Sequence, residues 1–187
     1  MAYKLTINYN PAHFGILLKY LQPKTQDKIL EIGCARGFYV KKMEKYTKNV
    51  IGVDIDREAA KRPVSQKVKY GDATSLDFPG NIFNKIYSIN TIEHIFDLRQ
   101  FFHEITRVLE PGGIVLLIYP WEPIRGIQAI WAALINFKNP FMAQKVHLHK
   151  LNPEKIKKLI KNTPLGHIES KLIFSLGFNY VTLLAKK

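Results

Sequence analysis

The chain has 187 residues, 47% of them hydrophobic, and a formal net charge of +13. That composition suits one well-filled core and excludes wholesale disorder. The single cysteine excludes an internal disulfide and a cysteine-cluster metal site, and no apolar run reaches the ~20 residues of a membrane span.

Phe14, Leu17, Leu18 and Leu21 recur at helical spacing over residues 10–21, and Pro23 ends that helix. Residues 28–33 form a short apolar strand, and residues 37–46 the helix after it. Asn49–Asp54 is a second strand, Arg57–Lys61 a short helix stopped by Pro63, and Val68–Tyr70 a third strand. Phe83–Ile89 alternates apolar and polar residues as a fourth strand. Leu98, Phe101, Phe102, Ile105, Val108 and Leu109 share one helical stripe, and Pro111-Gly112-Gly113 ends that helix. Residues 114–119 are continuously apolar, as in a strand buried on both faces. Asn152-Pro153-Glu154 opens a late helix. Residues 169–174 and 179–185, with Gly177 between them, read as a closing hairpin. Strands alternating with helices demand an α/β fold: a Rossmann-like, doubly wound sheet, mostly parallel, with a C-terminal antiparallel hairpin strand. We expect one domain over residues 1–187. It comprises an N-terminal helical segment (1–24), a cofactor-binding core (25–120) and an acceptor-side cap with the closing hairpin (121–187).

In such a sheet, ligands bind beyond the carboxyl ends of the strands. The first strand runs into Gly33-Cys34-Ala35-Arg36-Gly37. Gly33 lets the backbone turn sharply, and a Cβ on Gly37 would occupy ligand space. A dinucleotide site prefers Gly-x-Gly-x-x-Gly. Here Ala35 stands for the second glycine and bulky Phe38 for the third. Glu31, just before the turn, would repel a pyrophosphate and suits an ammonium or sulfonium. Asp54, ending the second strand, can accept from both ribose hydroxyls, with Asp56 as a weaker substitute. Gly71-Asp72-Ala73 after the third strand can receive an adenine, Asp72 taking the exocyclic amine.

Together these segments resemble the class I S-adenosylmethionine-dependent methyltransferases, in particular their small-molecule "type 11" group. The resemblance covers roughly residues 25–120. It rests on Ile29-Leu30-Glu31-Ile32-Gly33-Cys34-Ala35-Arg36-Gly37, Gly52-Val53-Asp54 and Gly71-Asp72-Ala73. To these it adds Ser88-Ile89-Asn90-Thr91-Ile92-Glu93-His94-Ile95 and Phe102-His103-Glu104-Ile105-Thr106-Arg107-Val108-Leu109-Glu110-Pro111-Gly112-Gly113. It extends more faintly to His147-Leu148-His149-Lys150-Leu151-Asn152-Pro153-Glu154. It implies S-adenosylmethionine as cofactor, with Glu31, Gly33 and Gly37 framing the methionine end, Asp54 at the ribose, and Asp72 and Ala73 at the adenine. Asn90 and Thr91 would line the floor below the sulfonium, and Cys34 and Ile55 join the cofactor-binding set. Ala35 departs from the glycine usual in the family.

A methyl donor that is already activated asks the protein mainly for alignment and exclusion of water. A general base is needed for a hydroxyl or a protonated amine. The candidates are His94, His147 and His149, with Tyr119 and Glu122 behind them. A zinc site from His147 and His149 lacks further ligands at suitable spacing, so no metal is expected. Ile124, Ile127, Ile130, Trp131, Leu134 and Ile135 form an apolar helical stripe, read first as core or a dimer contact. The alternative is a lid over an apolar acceptor, or an amphipathic helix on a membrane. Residues 138–187 carry ten lysines and two acids. That balance leaves RNA and an anionic lipid surface as alternative partners, but lysines without interleaved arginines or an RNA-binding motif do not favour nucleic acid. The expected partner is a small, apolar or amphiphilic acceptor, and the expected location cytoplasmic, since residues 1–8 carry no signal-peptide pattern. An RNA methyltransferase and a non-catalytic S-adenosylmethionine-binding module stand as alternatives, and the oligomeric state is left open.

Overall fold

A computed structural model describes residues 9–187; the first part of the expected N-terminal segment, residues 1–8, lies outside the described residues. The elements in chain order are α1 (Pro11–Leu21), β1 (Lys28–Ile32), α2 (Phe38–Met43), β2 (Asn49–Asp54), α3 (Arg57–Lys61), β3 (Val68–Tyr70) and β4 (Phe83–Ile89). They continue with a 3-10 turn (Ile92–His94), α4 (Leu98–Val108), β5 (Leu109–Pro120), a 3-10 turn (Ile127–Ala129), α5 (Ile130–Phe137), a 3-10 turn (Pro140–Met142), α6 (Ala143–Val146), α7 (Pro153–Ile160), β6 (Leu165–Phe174) and β7 (Phe178–Lys186). Among the described residues the strands form one seven-stranded sheet in the order β3-β2-β1-β4-β5-β7-β6. β1 to β5 are parallel, and β7 and β6 add antiparallel strands. The chain order reverses between β1 and β4, which opens a crevice at their carboxyl ends.

Local chemistry explains the boundaries. Asn10 caps α1 through Ala12 N–H, Asp97 caps α4 through Arg99 and Gln100, and Asn152 caps α7 through Lys155. The predicted α4 stripe is buried throughout, Leu98 at 4% exposure and Phe101, Phe102, Ile105, Val108 and Leu109 at 0%. Burial of one such side chain is worth about 1.5–3 kcal/mol. The polar members of the same segment also hold the fold. Glu104 accepts from Leu76 N–H (2.8 Å), while Arg107 donates to the Leu76 and Phe78 carbonyls and to Glu104. This pins the β3–β4 connection onto α4. On the other sheet face α1 and α2 bury Leu17, Leu21, Val40 and Met43 over Ile29, Val50 and Leu116.

Two expectations need correction. The strand predicted to start after Pro111-Gly112-Gly113 starts at Leu109 instead. Leu109 pairs with Phe83 and Ile114 with Lys85, so residues 110–113 bulge from the ladder rather than precede it. The apolar stripe of residues 124–135 is not core. Ile124, Ile127, Ile130, Trp131 and Ile135 are exposed, and α5 instead buries Ala133, which with Ala129, Ala143 and Val146 makes a small separate cluster. Alanines let α5 and α6 approach closely, which turns the bulky side chains outward. Among the described residues no helix is long and apolar enough to cross a membrane.

Candidate functional site

The carboxyl ends of β1 to β5 open into a cavity of about 680 Å³. Its acids are Glu31, Asp54, Asp56, Asp72, Glu93 and Asp97, and among the described residues no lysine or arginine lines it. In a chain of net charge +13 this is a strong local inversion, and it favours a cation over a phosphate.

Glu31 lies one residue before the end of β1 and is 2% exposed. Tyr87 Oη donates to Glu31 Oε2 at 3.0 Å. Burial pushes the Glu31 carboxyl up to about 8; the bonds from Tyr87 and Val40 N–H oppose that and the nearby Asp54 adds to it. The side chain expected as a carboxylate therefore holds a proton at neutral pH until a cation meets it. Asp54, at the end of β2, accepts Ala35 N–H at 2.6 Å and Asp56 N–H at 2.8 Å. Burial raises its pKa, against those two bonds. Ala35 sits at φ +44°, the left-handed conformation that aims its N–H at Asp54. Gly33 has φ +76°, and a Cβ there would collide with the Thr91 side chain, so glycine is required both for the turn and for the approach of the β4 loop.

Cys34, Ile55, Asp72, Ala73, Asn90 and Thr91 all border the same cavity. Asp72 Oδ1 accepts from Thr74 N–H (2.8 Å) and Thr74 Oγ1 (2.7 Å), which fixes the turn after β3. Asn90 takes φ +48° and donates its N–H to the Ile118 carbonyl. Asp56 caps α3 by accepting from Glu58 N–H. Gly37 does not border the cavity. A Cβ there would strike Val68, so this glycine serves the packing of α2 against β3 rather than ligand space.

Sequence reasoning missed Asn10, His13 and Tyr39, which border the cavity from α1 and α2, and Ser175, Leu176 and Asn179 from the β6–β7 turn. Asn10 Nδ2 donates to Ser175 Oγ at 2.7 Å and Tyr39 Oη accepts Asn10 N–H at 2.9 Å, so chain positions far apart close one rim. The helix over residues 10–21 was legible; that its start overhangs the strand ends was not. His13 is 4% exposed and burial lowers its pKa.

Of the candidate bases, His94 and His147 face the cavity, their ring centroids 5.0 Å apart. His94 Nδ1 lies 2.7 Å from the Val146 carbonyl, and His147 Nδ1 lies 2.9 Å from Glu122 Oε1. Glu122 is 3% exposed and also accepts Gly126 and Gln128 N–H. It organises the cap and His147 from behind and does not border the cavity. His149 is not at the site, because its Nε2 is turned to the Ile95 carbonyl at 2.8 Å. Tyr119 is buried in the sheet with its hydroxyl on Thr182 Oγ1 at 2.9 Å, too far inside to act as a base.

Comparison with known proteins agrees with this geometry. Residues 30–117 match the family model described as "Methyltransferase domain". The sterol 24-C-methyltransferase erg6 of Aspergillus fumigatus is 34% identical over 105 residues, 50% of this chain and 28% of that protein. A phosphoethanolamine N-methyltransferase of Triticum aestivum is 33% identical over 108 residues, 52% of this chain and 21% of that protein. The aligned region thus spans under a third of each of these relatives. The geranyl diphosphate C-methyltransferase of Streptomyces coelicolor A3(2), solved with Mg2+, geranyl diphosphate and S-adenosyl-L-homocysteine, has the same fold. Its TM-score is 0.71 at 16% identity, covering 95% of this chain and 80% of that one. The matched stretch, residues 30–117, takes in just under half of this chain, and its motifs lie on one crevice of a sheet with the fold of S-adenosylmethionine-dependent methyltransferases.

Proposed function

We propose that this protein transfers a methyl group from S-adenosylmethionine to a small amphiphilic acceptor. One observation carries the reading: a cavity fringed with carboxyl groups, and with no lysine or arginine among its described lining residues, lies at the ends of β1 to β4. Bound there, S-adenosylmethionine supplies a methyl group already activated by a sulfonium. Glu31 and Gly33 hold the methionine end, Asp54 the ribose, and Asp72, Ala73 and Ile55 the adenine. Asn90 and Thr91 form the floor beside the reacting centre. Alignment of the acceptor and exclusion of water then supply most of the catalysis.

The acceptor end is apolar at Ile95, Ala129, Ala132, Val146 and Leu176. A second groove, about 380 Å³, adjoins it through Gln128 and Leu176 and runs outward past Trp121, Trp131 and Phe178. Such a path suits a molecule with a long apolar body and one polar end. The relatives named for sterols, phosphoethanolamine and geranyl diphosphate favour small-molecule acceptors. Exposed Trp131, Ile135 and Phe141 stand near exposed Lys138 and Lys145 on the same cap, which supports loading from an anionic lipid surface.

Calorimetry with S-adenosylmethionine and S-adenosylhomocysteine tests the donor, and lack of binding at millimolar ligand overturns it. Transfer of labelled methyl to a panel of sterols, prenyl alcohols, phosphoethanolamine and transfer RNA tests the acceptor. Labelling confined to RNA would refute the small-molecule reading. Sedimentation with phosphatidylserine vesicles, absent for a Trp131→Glu variant, tests the lipid contact, and equal sedimentation of both proteins refutes it.

A further inference from the structure

We infer that Glu93, His94 and His147 form a binding site for one divalent ion of the zinc class at the acceptor end of the cavity. One ligand atom from each of these side chains lies within 4.8 Å of the others. Ligands at ~2.0–2.2 Å from one tetrahedral ion stand roughly 3.3–3.6 Å apart. The Glu93 Oε1 to His94 Nε2 distance is 3.7 Å, so small side-chain adjustments would close the site.

Two independent observations point to an ion. First, Glu93 is 2% exposed and its Oε2 has no hydrogen-bond partner. Leaving a buried polar atom unmatched costs about 1–3 kcal/mol, and more for a charged one; a coordinated cation removes that cost. Second, both rings are supported from behind as metal-ligating imidazoles are. His94 Nδ1 is engaged by the Val146 carbonyl and His147 Nδ1 by the Glu122 carboxylate. Each contact sets the proton on Nδ1 and fixes the ring orientation from behind, the support that metal-ligating imidazoles receive. His149, the third histidine named from the sequence, is instead tied to Ile95.

Two imidazoles and one carboxylate suit zinc and its neighbours better than magnesium. Three protein ligands leave a position open toward the cavity. An oxygen of the acceptor, as hydroxyl, carboxylate or phosphate, is the ligand that position takes. No lysine or arginine among the described lining residues could meet an anionic oxygen there. The identity of that oxygen donor rests on the methyltransferase reading, whereas the ion site rests on the residues alone.

The test uses untagged full-length protein, stripped with chelator and titrated with Co2+ while its visible d–d absorption is recorded. One equivalent should bind with the intensity of a four- or five-coordinate site and be displaced by Zn2+. Glu93→Gln and His147→Ala should weaken binding at least tenfold, Glu122→Gln about 10–100-fold through the supporting contact, and His149→Ala should leave it unchanged. Circular dichroism checks that each variant folds, and near-isosteric Glu93→Gln serves if His147→Ala does not. Absence of the band, or equal Co2+ affinity in the wild type and Glu93→Gln, overturns the site. S-adenosylhomocysteine calorimetry on the stripped protein separates the two readings: a protein that binds the nucleoside but fails to take up added Co2+ ends the metal site alone, and one that takes up Co2+ but fails to bind the nucleoside ends the donor assignment alone.

Discussion

Glu31 gives the sharpest test of the donor site, because its proton must leave when a cation arrives. Burial holds the folded carboxyl near 8, against an ordinary value of 4.5. At pH 6 only about 1% of the protein then carries the carboxylate that binds an ammonium, and at pH 7 about 10%. Affinity for S-adenosylhomocysteine should therefore rise about tenfold per pH unit from 6 to 7 and level off above about 8, where Glu31 is already ionised. Calorimetry in buffers of different ionisation enthalpy should show release of close to one proton at pH 6.5. Glu31→Gln should bind more weakly at pH 7.5 and lose both the slope and the proton release. The same shift governs the unliganded protein. The folded state keeps a proton that the unfolded chain gives up near 4.5, so this stabilisation is complete below 4.5 and is lost as pH rises through about 8. The slope approaches about 1.4 kcal/mol per pH unit between those values. A flat affinity from pH 6 to 8, with no buffer dependence, would refute the assignment of Glu31 to the cationic end.

Gly33→Ala forces alanine into the left-handed region, about 1–2 kcal/mol, and drives its methyl into Thr91. A loss of at least about 2 kcal/mol in urea unfolding is expected, together with loss of nucleoside binding; a wild-type midpoint contradicts this. Ala35→Gly relieves similar backbone strain at φ +44° but adds about 0.5–1 kcal/mol of chain entropy. Its stability should change by less than about 1 kcal/mol, so any gain in cofactor affinity reads directly on the turn. Tyr119→Phe breaks one buried bond to Thr182 and should cost about 1 kcal/mol while retaining full turnover; a collapse of kcat in a folded variant would return Tyr119 to the chemistry.

The cofactor end of the site was legible because strand polarity does the work. Once Glu31, Asp54 and Asp72 are read as lying at or just beyond the ends of parallel strands, the fold has no choice but to gather them. The acceptor end was not. His147 and His149 are two apart on an extended stretch, and alternation sends one inward without saying which; the Ile95 carbonyl claims the other. The 124–135 segment carries a bulky apolar stripe at helical spacing, but the small Ala129 and Ala133 are what packs, so the stripe pointed to the wrong residues for burial. Asn10 and His13 reach the cavity only through the packing of α1 under the closing hairpin, a contact between the two ends of the chain. Pro111-Gly112-Gly113 has the composition of a break, but the ladder resumes on either side of it.

The cluster of Ala129, Ala133, Ala143 and Val146 is held together by small side chains, whereas the sheet beneath is anchored by fully buried Tyr87, Phe101 and Leu116. Local opening of residues 127–146 should therefore cost far less than global unfolding, and their amides should exchange with deuterium well before those of β1, β4 and β5. A roof this lightly fastened can lift by fluctuation to admit and release what binds beneath it, while the strand ends below form a floor that does not breathe.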